Sequence, residues 1–275
     1  MRIRISHQTI YKYESPATGV IQSLRLTPRN HEGQHVVRWR IDVSEDCRLD
    51  QHDDAFGNIT HAFSADGPFS RLRVTVDGEV ETQDTEGVVR GAVERFPPAL
   101  FLRETALTRA DPAIGVFATS ARQAGGSDDL AVLHVLLEQL HRDIVFDTDP
   151  THAATTAAEA FALGRGVCQD LSHIFIAAAR SIGIPARYVG GHFRRSDGVV
   201  NQDAGHAWVE AHVRELGWVA FDPTNAICAT EAHVRVAVGL DYLGAAPVRG
   251  ARFGGGSESL TVRLHVDQAA QQVQN

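Results

Sequence analysis

The sequence predicts an α+β protein in which a small all-β domain precedes a larger domain of helices packed on an antiparallel sheet. Two observations support this class. Apolar and polar residues alternate over residues 1–85, whereas helical periods followed by further alternating segments fill residues 100–275. The length of 275 residues suits one large or two ordinary domains, and the apolar content of 43% is sufficient for well-packed cores.

The first 85 residues show the period-2 pattern of half-buried strands, and glycines, prolines and aspartates separate the strands. The alternating apolar positions are Ile3/Ile5, Tyr11/Tyr13, Leu24/Leu26, Val37/Trp39/Ile41/Val43 and Leu72/Val74/Val76. Short strands at this spacing indicate a small sandwich or barrel. Residues 86–99 contain two glycines and a Pro-Pro pair, and we predict a linker there.

Three helical patterns follow the linker. The first covers residues 130–144 behind a cap at residues 127–129, and the second covers residues 155–163 and stops at Gly164. The third has its apolar face at Leu171, Ile174, Phe175, Ala178 and Ile182, and ends at Gly183. Alternating segments then predict strands near residues 186–192, 205–213, 218–221, 234–238 and 260–266. Cys168 is therefore predicted at the start of the third helix.

Composition disfavours several functions. The net charge of -8 disfavours nonspecific binding to nucleic acids or to anionic membranes. No stretch approaches the ~20 apolar residues that a membrane span needs, and the first residues lack the apolar segment of a secretory signal. The three cysteines, Cys47, Cys168 and Cys228, are odd in number and widely spaced, so we expect no disulfide framework and a cytoplasmic protein.

The predicted position of Cys168 favours a reactive thiol. A helix start presents unpaired N–H groups and a partial positive charge, which stabilise a thiolate and could also bind the oxyanion of a tetrahedral intermediate. The two glycines of Gly164-x-Gly166 allow a sharp entry into the helix. A buried, inert cysteine is an equally good interpretation of this local pattern alone.

A base and an orienting carboxylate can be found further along the chain. His206 begins the polar face of one predicted strand, and Asp222 ends the next. An antiparallel hairpin centred at residue 214 brings Asp222 directly beside His206 on one face. A turn centred at 215 or 216 would miss this pairing, and a bulge would then be needed.

The ordered set of these segments resembles the bacterial transglutaminase-like family. The matching segments are Gly166-Val167-Cys168-Gln169-Asp170, Gly183-Ile184-Pro185-Ala186-Arg187-Tyr188-Val189, His206-Ala207-Trp208-Val209-Glu210, Gly217-Trp218 and Phe221-Asp222-Pro223-Thr224-Asn225. The β-rich start, with Leu24-Arg25-Leu26 and Asp54-x-Phe56-Gly57-Asn58, is similar to the N-terminal domain often fused to that family. The resemblance implies a papain-like catalytic core over residues 100–275, with a Cys-His-Asp triad at Cys168, His206 and Asp222.

Three further residues are candidates for supporting roles, each with a structural alternative. Gln169 could donate to the oxyanion or simply face solvent, Asp170 could support the site or cap the helix, and Trp208 could wall the site or pack in the core. No His-Glu-x-x-His, Cys-x-x-Cys or calcium-loop pattern occurs, so we predict neither a metal nor a cofactor.

The predicted function is acyl transfer at amide or peptide bonds through a thioester on Cys168, with a peptide or protein as substrate. Hydrolysis by a cysteine protease or amidase and transfer to an amine by a transglutaminase use the same residues. We favour hydrolysis because water is always present and no amine pocket is evident. A catalytically inactive peptide-binding module on the same scaffold is the alternative from another class, and the intact set of three residues disfavours it.

Overall fold

The computed structural model describes residues 1–269. In chain order its strands are β1 (Arg2–Thr27), β2 (Gln34–Val43), β3 (Asp50–Asp53), β4 (Ile59–Thr82), β5 (Val88–Val89), β6 (Val145–Phe146), β7 (Arg165–Gly166), β8 (Ala186–Phe193), β9 (Asn201–Gln202), β10 (His206–Val213), β11 (Gly217–Asp222), β12 (Ile227–Cys228), β13 (His233–Gly239), β14 (Val248–Gly254) and β15 (Glu258–Gln268). The helices are α1 (Pro112–Gly125), α2 (Asp129–Asp143), α3 (Ala157–Leu163), α4 (Cys168–Ser181) and α5 (Tyr242–Ala245), with a 3-10 turn at Pro98–Leu102.

The first sheet has seven strands, in the order β2-β4-β1-β15-β9 with β14 paired to β1 and β3 paired to β4. It is built around the long strands β1 and β4, which pair antiparallel along most of their length. Their register shifts between Lys12 and Ala17 and again near Gly19, and such irregularities bend a sheet. The parts of the sheet on either side of this bend therefore enclose an apolar core that includes Tyr11, Leu24 and Phe63. The sequence indicated a small sandwich or barrel, and the structure has a β-rich region here whose strands belong to one continuous, bent sheet.

The second sheet has six strands, with the order β12-β11-β10-β8-β13 and the short β5 paired to β11. Helix α4 packs on β10 and β8, and its buried face and those of α1, α2 and α3 share one apolar cluster with these strands. This arrangement confirms the predicted α+β class. Within residues 1–269, no helix combines the length and the apolar character that a bilayer crossing requires.

The last two strands change the predicted division of the chain. Sequence patterns assigned residues 100–275 to the second domain, but β14 and β15 both pair with β1 in the N-terminal sheet. The predicted linker, residues 86–99, also contains strand β5, whose Val88 and Val89 pair with β11. The chain therefore leaves the first sheet, builds the second and returns, while the exact domain boundaries stay a prediction.

Side chains of the N-terminal region bind the edge strand of the second sheet. The Gln34 amide donates to the carbonyl of Arg235 (2.9 Å) and accepts from its N–H (2.8 Å). The Asn58 amide makes the same two contacts with Val238, each at 2.8 Å. Backbone groups on the outer edge of β13 are thus satisfied by side-chain amides, and this attachment holds β13 in place.

Candidate active site

Cys168 is the first residue of α4, as the sequence predicted. Gly164 ends α3 in the left-handed conformation (φ 69°), and Gly166 packs so tightly that a Cβ there would lie 2.6 Å from an Asp170 carboxylate oxygen. These two glycines let the chain turn directly into the helix. The N–H groups of Cys168 and Gln169 belong to the first turn and have no acceptor within the helix. The sulfur of Cys168 is half-buried at this end.

The two neighbours of Cys168 in the helix anchor the surrounding chain. Asp170 is buried, and its Oδ2 accepts from the Val167 N–H (2.8 Å) and from the Thr151 hydroxyl (2.7 Å). Burial raises the pKa of Asp170, and these two hydrogen bonds partly oppose that rise. Gln169 donates to the Ala153 carbonyl (3.3 Å). Asp170 therefore caps the helix, and Gln169 binds the loop before α3.

His206 and Asp222 meet through a diagonal of the β10–β11 hairpin. The ladder pairs Val209 with Phe221 and Val213 with Gly217, so the turn is centred at residue 215. The prediction of a direct 206–222 pair, centred at 214, was therefore wrong, and no bulge interrupts the ladder. The same register places Asp222 opposite Trp208, the next residue after His206 on the same face of β10. His206 and Asp222 are therefore diagonal neighbours, which remain within reach of each other's side chains. The two join at 2.7 Å between Nε2 and Oδ2.

The Asp222 carboxylate is buried and held by five hydrogen bonds. Its Oδ1 accepts from the N–H groups of Thr224 (3.0 Å) and Asn225 (3.3 Å). Its Oδ2 accepts from His206, from the Asn225 side-chain amide (2.7 Å) and from His233 (3.1 Å). Burial alone would raise the pKa of Asp222, but the facing His206 and His233 hold it well below its usual range. The group is therefore a carboxylate with a fixed orientation.

The other nitrogen of His206 is available to Cys168. Because Nε2 is bonded to Asp222, Nδ1 is the ring nitrogen left for the thiol. Burial would lower the pKa of His206, but the Asp222 charge, the hydrogen bond to Asp222 and the Cys168 side chain raise it to about 10. His206 therefore contacts Asp222 directly, and the Cys168 thiol is close enough to contribute to the raised pKa of the imidazole. Their catalytic roles stay a prediction.

Aromatic rings pack around the imidazole of His206. The Phe193 ring lies 5.2 Å from it and is half-exposed, and the Trp208 ring lies 6.0 Å from it, nearly parallel. Trp208 is only 2% exposed and packs with Val189 and Val238 beneath the site. Trp208 is therefore a core residue that packs against His206. Phe193, which the sequence analysis missed, lies nearer the surface.

His233 is the second residue that sequence reasoning missed. It begins β13, and with His206 and Asp222 it brings atoms that could bind a metal within 4.8 Å of one another. However, the Thr230 N–H donates to His233 Nδ1 (3.0 Å), so the proton of the neutral ring is on Nε2 and points at Asp222. A metal would need the lone pair at that position. The donor set therefore fits a hydrogen-bonded carboxylate better than a metal site.

A buried ionic network lies farther along the strand that carries His206. Glu210 is fully buried and bonds Arg187 (2.7 Å), its partner on the adjacent strand β8, and Arg235 (2.7 Å) on β13. Arg187 also bonds Glu94 of the predicted linker (2.7 Å) and lies over the Trp218 ring at 3.9 Å. This network joins side chains of β8, β10 and β13 and so fixes these three strands relative to each other.

Two protein-family models match separate parts of the chain. Residues 3–81 match the model of the bacterial transglutaminase-like N-terminal region. Residues 118–223 match the model of the transglutaminase-like superfamily, and this span includes Cys168, His206 and Asp222.

Individual relatives extend the similarity over the whole chain. An uncharacterised protein of Mycobacterium leprae is 31% identical over 98% of this chain and 99% of its own length. A Pseudomonas aeruginosa protein named protein-glutamine gamma-glutamyltransferase is 27% identical over 161 residues, which are 53% of this chain and 24% of that protein. The crystal structure of a "Putative Cysteine Protease" from Cytophaga hutchinsonii covers 100% of this chain and 92% of its own, with a TM-score of 0.76 at 19% identity, which shows a shared fold.

Proposed function

The chain belongs to the transglutaminase-like superfamily, and on that premise we propose that it is a thiol-dependent acyl-transfer enzyme that hydrolyses amide or peptide bonds through a thioester on Cys168. The observation that carries the proposal is the 2.7 Å bond between His206 Nε2 and the buried Asp222 carboxylate, together with the contribution of the Cys168 thiol to the raised pKa of His206. A thiol beside an imidazole that a carboxylate orients is what an activated nucleophile requires.

In the proposed reaction, His206 Nδ1 takes the thiol proton and the Cys168 sulfur attacks the carbonyl carbon of the substrate. The backbone N–H of Cys168, at the helix start, donates to the oxyanion of the tetrahedral intermediate. When the C–N bond breaks, His206 returns its proton to the leaving amine and a thioester remains on Cys168. Asp222 keeps the Nε2–H tautomer in place and stabilises the imidazolium throughout.

The thioester can then be released in two ways. If water attacks, the product is a carboxylic acid and the enzyme is a cysteine protease or amidase. If an amine attacks, a new amide forms and the enzyme is a transglutaminase. The name of the Pseudomonas aeruginosa relative favours the second route, but that match covers about half of this chain. We propose hydrolysis because water needs no dedicated pocket.

An inactive peptide-binding module remains the alternative of another class. It would need no proton acceptor beside Cys168 and no ionised carboxylate behind His206. The Asp222 carboxylate is buried beside His206 and is held by five hydrogen bonds, which offset the cost of burying its charge. A peptide-binding module would not need this arrangement.

The three cysteines carry free thiols, which supports a reducing compartment such as the cytoplasm.

The experiment that tests the proposal is capture of the acyl-enzyme. The protein is incubated with a peptide library and an isotopically labelled primary amine, and both the Cys168 peptide and the released products are weighed. We expect an acyl adduct on Cys168 that His206→Ala abolishes, with acid products exceeding labelled amides. Labelled amides in excess would assign transfer in place of hydrolysis. No adduct with any substrate would favour the binding module.

A further inference from the structure

The orientation of His233 is determined by contacts on both of its ring nitrogens. Nδ1 accepts from the Thr230 N–H at 3.0 Å, so the neutral ring must carry its proton on Nε2. That Nε2–H donates to Asp222 Oδ2 at 3.1 Å, the same oxygen that bonds His206 at 2.7 Å. His233 is only 6% exposed, so few other partners can replace these contacts.

The ring of His233 has aromatic and ionisable neighbours. Its ring packs against Phe193 (4.6 Å) and Trp208 (5.2 Å), which are uncharged, and faces Asp222 and His206. Its strand, β13, is attached to the N-terminal sheet by the side-chain amides of Gln34 and Asn58 described above. His233 is therefore held rigidly against the carboxylate.

We propose that His233 is a positioning residue that acts through Asp222: by donating to the oxygen that it shares with His206, it orients the carboxylate and limits how strongly that carboxylate stabilises the imidazolium. This inference rests on the proposed function, in which His206 must both accept and release a proton at Nδ1. A neutral donor on Oδ2 withdraws part of the carboxylate charge from His206 Nε2.

The balance matters because His206 has to return its proton to the leaving amine. A general acid works best when its pKa lies near the working pH. Burial lowers the pKa of His206, but Asp222 and, to a smaller extent, Cys168 raise it to about 10, which makes the imidazolium a weak acid near neutrality. Without the His233 donor, the charge of Asp222 would act on His206 more strongly and the proton would be released more slowly.

The test uses a matched pair of substitutions at position 233. In His233→Asn the shorter side chain can still accept from the Thr230 N–H but does not reach Asp222. In His233→Gln the longer amide places an N–H donor near the former Nε2. Alkylation of Cys168 by iodoacetate is followed from pH 5 to 11 by weighing the Cys168 peptide. This anionic reagent reacts more slowly once the imidazolium loses its proton, so the upper limb of the profile reports the pKa of His206.

We expect the upper limb of His233→Asn to move to higher pH by about half a unit, a roughly threefold change in proton affinity. His233→Gln should restore the wild-type profile. An upper limb that is unchanged or moves to lower pH in His233→Asn would overturn the inference. A wild-type profile in which Cys168 behaves as an ordinary thiol would contradict the Cys168–His206 pair itself, so the two failures are distinguishable.

A measurement on the unmodified protein keeps the inference testable if a variant fails to fold. In protein labelled with 15N-histidine, the ring of His233 is expected to carry a proton on Nε2 and none on Nδ1. A proton on Nδ1 instead would leave no donor toward Asp222 and would overturn the inference.

Discussion

Replacing Glu210 with glutamine should reveal how much the buried ionic network contributes to folding. Glu210 is fully buried between Arg187 and Arg235, and both pairs are joined at 2.7 Å. Glu210→Gln keeps the size of the side chain but removes the charge, so two guanidinium groups lose a buried counter-charge. Breaking a buried pair by removing one partner typically costs about 3–5 kcal/mol.

The pH dependence gives an independent magnitude. Burial raises the pKa of Glu210, but the charges of Arg235 and Arg187 and their hydrogen bonds outweigh burial and lower it from the ordinary 4.5 to about 2. That difference corresponds to about 3 kcal/mol, since each pH unit is worth about 1.36 kcal/mol. Because the pKa is depressed in the folded state, this stabilisation is present above the unfolded pKa and is lost as the pH falls through that of the folded state. About 2 kcal/mol of it should be gone at pH 3.

The assay is urea unfolding of wild-type protein and Glu210→Gln between pH 7 and pH 3. We expect the variant to be less stable by about 3 kcal/mol at pH 7, with the gap narrowing to about 1 kcal/mol at pH 3. Asp42→Asn is the control, because the Arg40–Asp42 pair is exposed to solvent and should contribute little to stability. A gap below about 1 kcal/mol at pH 7, or one that does not change with pH, would refute the reasoning.

Three further changes probe the site and its support. Asp222→Asn removes the charge behind His206, so the pKa of His206 should fall and the alkylation rate of the adjacent thiol at pH 7 should drop at least about tenfold; an unchanged rate would show that the carboxylate is not needed. Asn58→Ala leaves the N–H and C=O of Val238 without their partners and should lower the free energy of unfolding by about 1–3 kcal/mol, which thermal unfolding would measure; full stability would show that these bonds are replaced. Arg180→Met removes a buried guanidinium that bonds three backbone carbonyls and a threonine hydroxyl. The free energy of unfolding measured in urea should fall by about 3 kcal/mol, and a decrease of less than about 1 kcal/mol would contradict this.

The elements nearest the site could be predicted because their signals are local. The apolar face of α4 and the capping aspartate of α2 (Asp128) depend only on nearby residues, and the structure confirms both. The alternation along β10 and β11 located the two strands correctly, although both faces of these strands are buried. Helix α1 was missed although Asp111 caps it and Pro112 begins it, which are standard signals. Pairing of β15 with β1 joins positions more than 240 residues apart, such as Ile5 and Val266. Alternation shows that a segment is a strand but not which partner it takes.

Inside the site, too, the sequence did not show which residues pair across the strands. Cys168, His206 and Asp222 were predicted from an ordered set of motifs; the structure joins His206 to Asp222, and the catalytic roles of all three stay a prediction. The geometry between the last two was predicted wrongly, because a hairpin centre cannot be fixed to one residue when the turn contains a left-handed residue such as Glu215 (φ 73°). His233 had no signal, because a single histidine at the start of a strand resembles any core histidine. Its role depends on Thr230 and Asp222, which only the folded chain brings to it.

Comparative alkylation of the three cysteines tests the central claim most directly. Burial raises the pKa of Cys47, with a further contribution from its acidic neighbours, and burial raises that of Cys228, so both should react slowly near neutral pH. With iodoacetamide at pH 6.5, wild-type protein should be labelled at Cys168 at least about tenfold faster than at the other two, and His206→Ala should remove that advantage. Equal labelling of all three cysteines in the folded wild-type protein, or a Cys168 rate that does not depend on His206, would contradict the account.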